Sequence, residues 1–162
     1  MTLPKRKQNR LAAYDYSTPN AYFITICTKG RKNLFWTNFL ENVNDPENVP
    51  LAGLGIIARQ AIEKISEFYP AISVDRFVIM PNHIHLLLQI HADDSGRSVI
   101  APTISTVVRL MKSEVSKWAG FSVWQKGFYD HVIRNEEDYR NVWNYIEGNP
   151  GKWTEDRLYG QY

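Results

Sequence analysis

Phe77-Val78-Ile79-Met80-Pro81-Asn82-His83-Ile84-His85-Leu86-Leu87-Leu88 reads as the end of one strand, a turn and the start of the next. Met80-Pro81-Asn82 carries the turn, and the flanking runs are apolar enough to be buried strands. Side chains alternate between the two faces of a strand. His83 and His85 therefore project together, roughly 7 Å apart along the backbone at about 3.3 Å of rise per residue. Ile84, Leu86 and Leu88 take the other face. Two imidazoles sharing one face of so apolar a strand are a candidate pair of metal ligands.

Working outward, Ala21 to Thr28 is β-branched and aromatic and predicts a first strand, while Phe39 to Pro50 has the Asn, Asp and Pro of a loop. Leu54, Ile57, Ala58, Ala61, Ile62 and Ile65 recur at helical spacing from near Leu51, and Pro70 stops them. Ile72 to Met80 predicts the second strand and His83 to Ile90 the third. After the polar loop Asp93 to Ser98, Pro102 opens a second helix with Ile104, Val107, Val108, Met111 and Val115 on its apolar face. Phe128 to Arg134 predicts a fourth strand. Asn135 is placed to cap a third helix with the acidic first turn Glu136-Glu137-Asp138, and Asn149-Pro150 ends it after Gly148.

The order is β-α-β-β-α-β with an added C-terminal helix. That is an α+β, ferredoxin-like arrangement, a four-stranded antiparallel sheet with two helices on one face. The histidine strand is then central. Ile84, Leu86 and Leu88 pack on the two helices, and His83 and His85 point to the opposite face, which the third helix is free to cover.

A chain of 162 residues with 44% hydrophobic content is expected to form a single domain, with residues 1–19 as a basic arm and 151–162 as a short tail. The single cysteine, Cys27, excludes a disulfide framework or a multi-cysteine zinc site, and its apolar strand suggests an inert buried thiol. No apolar run approaches about 18 residues and the N-terminus has no signal-peptide core, so a cytoplasmic protein without membrane contact is expected. A net charge of +2 does not by itself imply nucleic acid. Lys5, Arg6, Lys7 and Arg10 nevertheless cluster, followed by Lys29, Arg31 and Lys32, and such arms contact phosphates. Lys112 on the second helix is a further candidate phosphate contact.

On the third helix, Tyr145 and Asn149 are four residues apart and share a face. An amide oxygen is a competent hard ligand, so Asn149 is a candidate third ligand beside His83 and His85, with Tyr145 a nucleophile next to it. By itself the pair has an ordinary reading too, a packed tyrosine and a helix C-cap before proline. Tyr139 is a weaker nucleophile candidate because Trp143, four residues on, cannot ligate a metal. His91 falls at the strand end and reads as a surface residue, and His131 as a structural hydrogen-bonder.

Met80-Pro-Asn-His83-Ile-His85-Leu resembles the His-hydrophobe-His motif of HUH endonucleases, and Tyr145-Ile-Glu-Gly-Asn149-Pro150 is similar to the segment carrying their single nucleophilic tyrosine. More narrowly, the chain resembles the REP-associated tyrosine transposases. The resemblance extends to Arg10 to Tyr16, Tyr22 to Thr28 and Trp124 to Arg134. It implies a ferredoxin-like fold and a DNA nicking and strand-transfer enzyme that forms a 5′-phosphotyrosine intermediate on single-stranded DNA bearing hairpin, REP-like repeats. It further implies Tyr145 as nucleophile, His83, His85 and Asn149 on Mg²⁺ or Mn²⁺, and a monomer or homodimer; Arg134 is a further candidate DNA contact. Two other classes remain open: a non-catalytic ferredoxin-like nucleic-acid-binding module that stacks bases on sheet aromatics, and a metallohydrolase that activates water.

Overall fold

The computed structural model describes residues 20–92 and 103–159. Four strands, β1 (Asn20–Cys27), β2 (Ile72–Ile79), β3 (His83–Ile90) and β4 (Tyr129–Val132), form one antiparallel sheet in the order β2-β3-β1-β4. Helices α1 (Gly53–Glu63), α2 (Ile65–Phe68), α3 (Ile104–Ala119) and α4 (Glu136–Gly148) complete the βαββαβ order with its added helix. The α+β, ferredoxin-like expectation is met, with β3 central. Lys5, Arg6, Lys7, Arg10, the Asp93 to Ser98 loop and Pro102 lie outside the described residues. No helix among the described residues is long and apolar enough to cross a membrane.

The β3 run is buried on both sides because both faces are covered. Ile84, Leu86 and Leu88 are fully buried with Tyr22, Ile24 and Ile26 of β1, in a core that also takes Ala58 and Ile62 of α1 and Val107, Met111 and Val115 of α3. At Gly55 a Cβ would stand 2.3 Å from the Phe35 carbonyl oxygen, so only glycine fits there. The single helix expected over Leu51 to Pro70 breaks at Lys64 into α1 and α2. The fourth strand is shorter than Phe128 to Arg134 because only Tyr129–Val132 pairs with β1.

Helix ends follow their sequence signals. Thr103 Oγ1 accepts the Thr106 N–H at the start of α3, and Gly120 closes its C-terminus at φ 78°. Asn135 Oδ1 accepts the Asp138 N–H at 2.8 Å, as its capping role requires.

One irregularity re-aims the edge of the sheet. β2 shifts register between Val74 and Arg76, leaving Asp75 as a bulge, so Arg76 lies opposite Leu87. The bulge turns both residues toward α4. Tyr139 Oη donates to Asp75 Oδ2 at 2.6 Å, and Arg76 sits over the Trp143 ring at 5.3 Å and pairs with Glu147 at 3.6 Å. Helix α4 is thereby latched over β2 and β3, on the face away from α1 and α3.

After α4 the chain runs into a 3₁₀ segment, Pro150–Glu155, that docks on the 39–44 loop. Trp153 is fully buried and its indole donates to the Phe39 carbonyl at 2.8 Å; the Val43 and Thr154 amides bond Pro150 O and Asn42 Oδ1. A loop with few apolar anchors of its own is thus held by the tail.

Candidate active site

Alternation carries Phe23, Thr25 and Cys27 of β1 to the same face as His83 and His85, because Thr25 pairs with His85 and Cys27 with His83. Helix α4 and the tail close over this face. The two imidazole rings are 4.7 Å apart, and the Tyr145 ring lies 5.3 Å from His85. Phe23 stacks on His85 at 5.2 Å and meets Tyr145 edge-on at 6.0 Å, setting both rings. His83 and His85 are 0% and 4% exposed, whereas Tyr145 is 51% exposed, so the phenol stands at the mouth of a closed donor set.

Each imidazole has one nitrogen fixed by a neighbour. His83 Nδ1 lies 2.7 Å from Asn82 Oδ1, which can only accept, so Nδ1 carries the hydrogen and Nε2 a lone pair. Asn82 is itself held, with Nδ2 donating to the Leu158 carbonyl at 3.0 Å and the Arg31 carbonyl at 3.3 Å. His85 Nδ1 is 2.8 Å from Thr25 Oγ1, and the tautomer that donates there leaves its Nε2 as an acceptor. Burial pushes His83 down to about 3. It also holds His85 well below the ordinary histidine value, with the neighbouring His83 adding to the effect. Both rings are neutral near neutrality.

Asn149 is the C-cap of α4 and is buried; its Nδ2 points at Asp156 Oδ2, 3.5 Å away. Three buried atoms in this region have no hydrogen-bond partner: His83 Nε2, His85 Nε2 and Asn149 Oδ1. Each such atom costs about 1–3 kcal/mol if left unsatisfied, and folded proteins tolerate few of them. Three acceptors on one small site fit a cation. Among the described residues no three His, Cys, Asp or Glu side chains already form a cation cluster, so a site here would need the Asn149 amide oxygen beside the two imidazoles. Burial pushes the Tyr145 phenol up, Asp156 adds to the rise, and contact with Asn149 opposes it. The phenol is protonated at rest.

The remaining candidates fall elsewhere. Lys112 Nζ donates to the Gln125 and Gly127 carbonyls at 3.0 and 2.6 Å, tying the 125–127 loop to α3. Arg134 is exposed beside the start of α4. His131 donates to Asp138 Oδ2 at 2.8 Å, and that carboxyl is held below its usual range chiefly by the Arg134 N–H. His91 is exposed and bonds Ser73. Tyr139 is bound to Asp75, and burial with that contact pushes it up to about 12. Cys27 is buried. The stacking platform of a base-binding module is not open over β3, where Leu87 is fully buried beside the histidines. Sequence reasoning missed Asn82 and Asp156. Asn82 was signalled by its adjacency to His83, whereas nothing local marks Asp156.

The family described as Transposase IS200 like matches residues 17–149. An uncharacterized protein of Haemophilus influenzae is 36% identical over 95% of this chain and 93% of its own length. A REP-associated tyrosine transposase of Escherichia coli K12 is 30% identical over 58% of this chain and 53% of its own. The solved structure of a REP-associated tyrosine transposase bound to a REP hairpin is similar in fold, with TM-score 0.59 and 22% identity over 100% of this chain and 88% of that one. The chain belongs to the IS200-like transposase family, related to the REP-associated tyrosine transposases.

Proposed function

We propose that this family member is a metal-dependent single-stranded DNA endonuclease and strand transferase, with Tyr145 as nucleophile and His83, His85 and Asn149 as ligands of Mg²⁺ or Mn²⁺. The observation that carries the reading is the trio of unpartnered buried acceptors beside the Tyr145 ring. Open positions on an ion so held would take phosphate oxygen and water, and the ion would supply Lewis acidity to the scissile phosphate. Mixed nitrogen and oxygen donors also bind softer ions, so Mg²⁺ or Mn²⁺ is the working ion by availability.

The chain's own residues supply the rest. Asn82 and Thr25 fix the histidine rings with their Nε2 atoms inward, as outer partners do around metal ligands. Phe23 and His85 hold the Tyr145 ring so that its oxygen is presented from the half-exposed rim. Forming phenolate at pH 7 from a pKa near 10 costs roughly 4 kcal/mol, and burial raises that cost, so the proton leaves as the bond to phosphorus forms. Tyr145 Oη attacks the phosphorus, the bond to the 3′ oxygen breaks, and a 5′-phosphotyrosine and a free 3′-hydroxyl result. Attack by a 3′-hydroxyl on that link rejoins the strand and restores the phenol, so no nucleotide is consumed.

The substrate we infer is single-stranded DNA with hairpin, REP-like repeats. The hairpin-bound relative of the same fold supports this reading. Lys5, Arg6, Lys7, Arg10 and Arg134 are proposed as phosphate contacts, and Lys112 as one that reaches DNA only from its tether. The test is incubation with labelled single-stranded oligonucleotides from the gene's own flanks, with and without Mn²⁺. Wild type should give a denaturation-resistant adduct with Mn²⁺ and Tyr145→Phe none, with DNA affinity retained. An adduct in the Phe variant overturns the assignment, and cleavage without any adduct favours activated water.

A further inference from the structure

His83 Nε2 faces a carboxylate oxygen, Asp156 Oδ2, at 3.7 Å. A lone pair opposite an anion is an unfavourable pair in a buried place, and a cation between them reverses its sign. Asp156 lies just past the 3₁₀ segment, and its side chain is only 7% exposed. Its two oxygens have separate surroundings. Oδ1 accepts the Leu158 N–H at 2.8 Å, which fixes the carboxylate, while Oδ2 turns to His83 and to Asn149 Nδ2 at 3.5 Å. With the Asn149 NH₂ turned toward Asp156, its Oδ1 is the atom left without a partner.

We propose that Asp156 is the anionic member of the cation site, so that the tail completes a site otherwise built from β3 and α4. This rests on the metal reading of His83, His85 and Asn149. Two neutral imidazoles and an amide carry no charge, a set suited to nickel or zinc as much as to magnesium. A carboxylate adds the hard, charged donor that oxygen-seeking ions are held by. Asparagine cannot replace it. A single amide oxygen serves either Leu158 N–H or the site, and its NH₂ then faces a donor or the ion.

The experiment is Mn²⁺ and Ni²⁺ binding to the DNA-free full chain, with free Mn²⁺ read by electron paramagnetic resonance and Ni²⁺ by calorimetry. Wild type, Asp156→Asn, Asp156→Glu and His83→Ala are compared, and near-ultraviolet circular dichroism monitors the packing of Trp153. Asp156→Asn should weaken Mn²⁺ by roughly tenfold or more and Ni²⁺ by less, with an unchanged spectrum, and Asp156→Glu should recover part of the loss. Mn²⁺ affinity within about twofold of wild type in Asp156→Asn, while His83→Ala abolishes binding, overturns this role of Asp156 and leaves the metal reading intact. Equal losses of both ions with an altered spectrum make Asp156 a packing residue and also overturn it. Wild-type affinity in His83→Ala overturns the metal reading and this inference together.

Discussion

Strand β3 has two unlike faces. Ile84, Leu86 and Leu88 are fully buried in a dry layer under α1 and α3, among side chains that are apolar apart from the hydroxyl of Tyr22. His83 and His85, one residue away in each case, are as deeply buried under α4 and the tail, yet each keeps an unpartnered nitrogen. Equal burial therefore has opposite meanings on the two faces. On the first it is the source of stability; on the second it is a cost that the proposed cation would offset.

The largest break in this contrast is expected on the dry face. Leu86→Ala should destabilise by about 2–5 kcal/mol through lost transfer energy and a cavity, measured by urea denaturation. Its adduct yield, corrected for the folded fraction, should stay at the wild-type value. A corrected yield that falls with the fold intact would mean the two faces are not separable.

Acid sharpens the contrast from the other side. His83 stays neutral in the folded state down to about 3, against 6.5 for the unfolded chain. The unfolded chain thus binds more protons in that window, so this contribution to stability is complete above 6.5 and is lost as pH falls toward 3. The slope is at most about 1.4 kcal/mol per pH unit for each histidine, and His85, shifted the same way, adds to it. The fall in Tm between neutral and acidic pH should shrink in a His83→Leu, His85→Leu double variant. An unchanged acid profile in that variant would place the acid sensitivity elsewhere.

The smallest effect concerns the latch that brings α4 to the polar face. Tyr139→Phe removes the bond to Asp75 and should cost about 1 kcal/mol, together with a reduced rate of adduct formation because Tyr145 rides on the same helix. Wild-type rate and stability in that variant would show that the bulge contact does not position the helix.

The dry face was legible in the sequence because it is a matter of period. The alternation along β3 and the helical spacing of Val107, Met111 and Val115 named the core, and Asn135 with its acidic turn marked the start of α4. His83, His85, Tyr145 and Asn149 were legible as short-range pairs, and the structure brings all four together. What period does not encode was missed. The bulge at Asp75 reverses the facing of Arg76 without leaving any mark on an already mixed edge strand. Lys112 reads in the sequence as a candidate phosphate contact, but its ammonium is held by two carbonyls more than ten residues along the chain. Asp156 reaches His83 from 73 residues away through a tail seated on the 39–44 loop, a contact only the folded chain defines.

The contrast between the faces is tested most directly by thermal denaturation with and without saturating Mn²⁺, on wild type and on the His83→Leu, His85→Leu double variant. Without the ion, the double variant loses two unsatisfied nitrogens but also the bonds to Asn82 and Thr25, so its stability should stay within about 3 kcal/mol of wild type. With Mn²⁺ at about a hundred times its Kd, wild type should gain about 2.7 kcal/mol and the double variant nothing. An equal gain in both proteins, or none in wild type, would contradict the account.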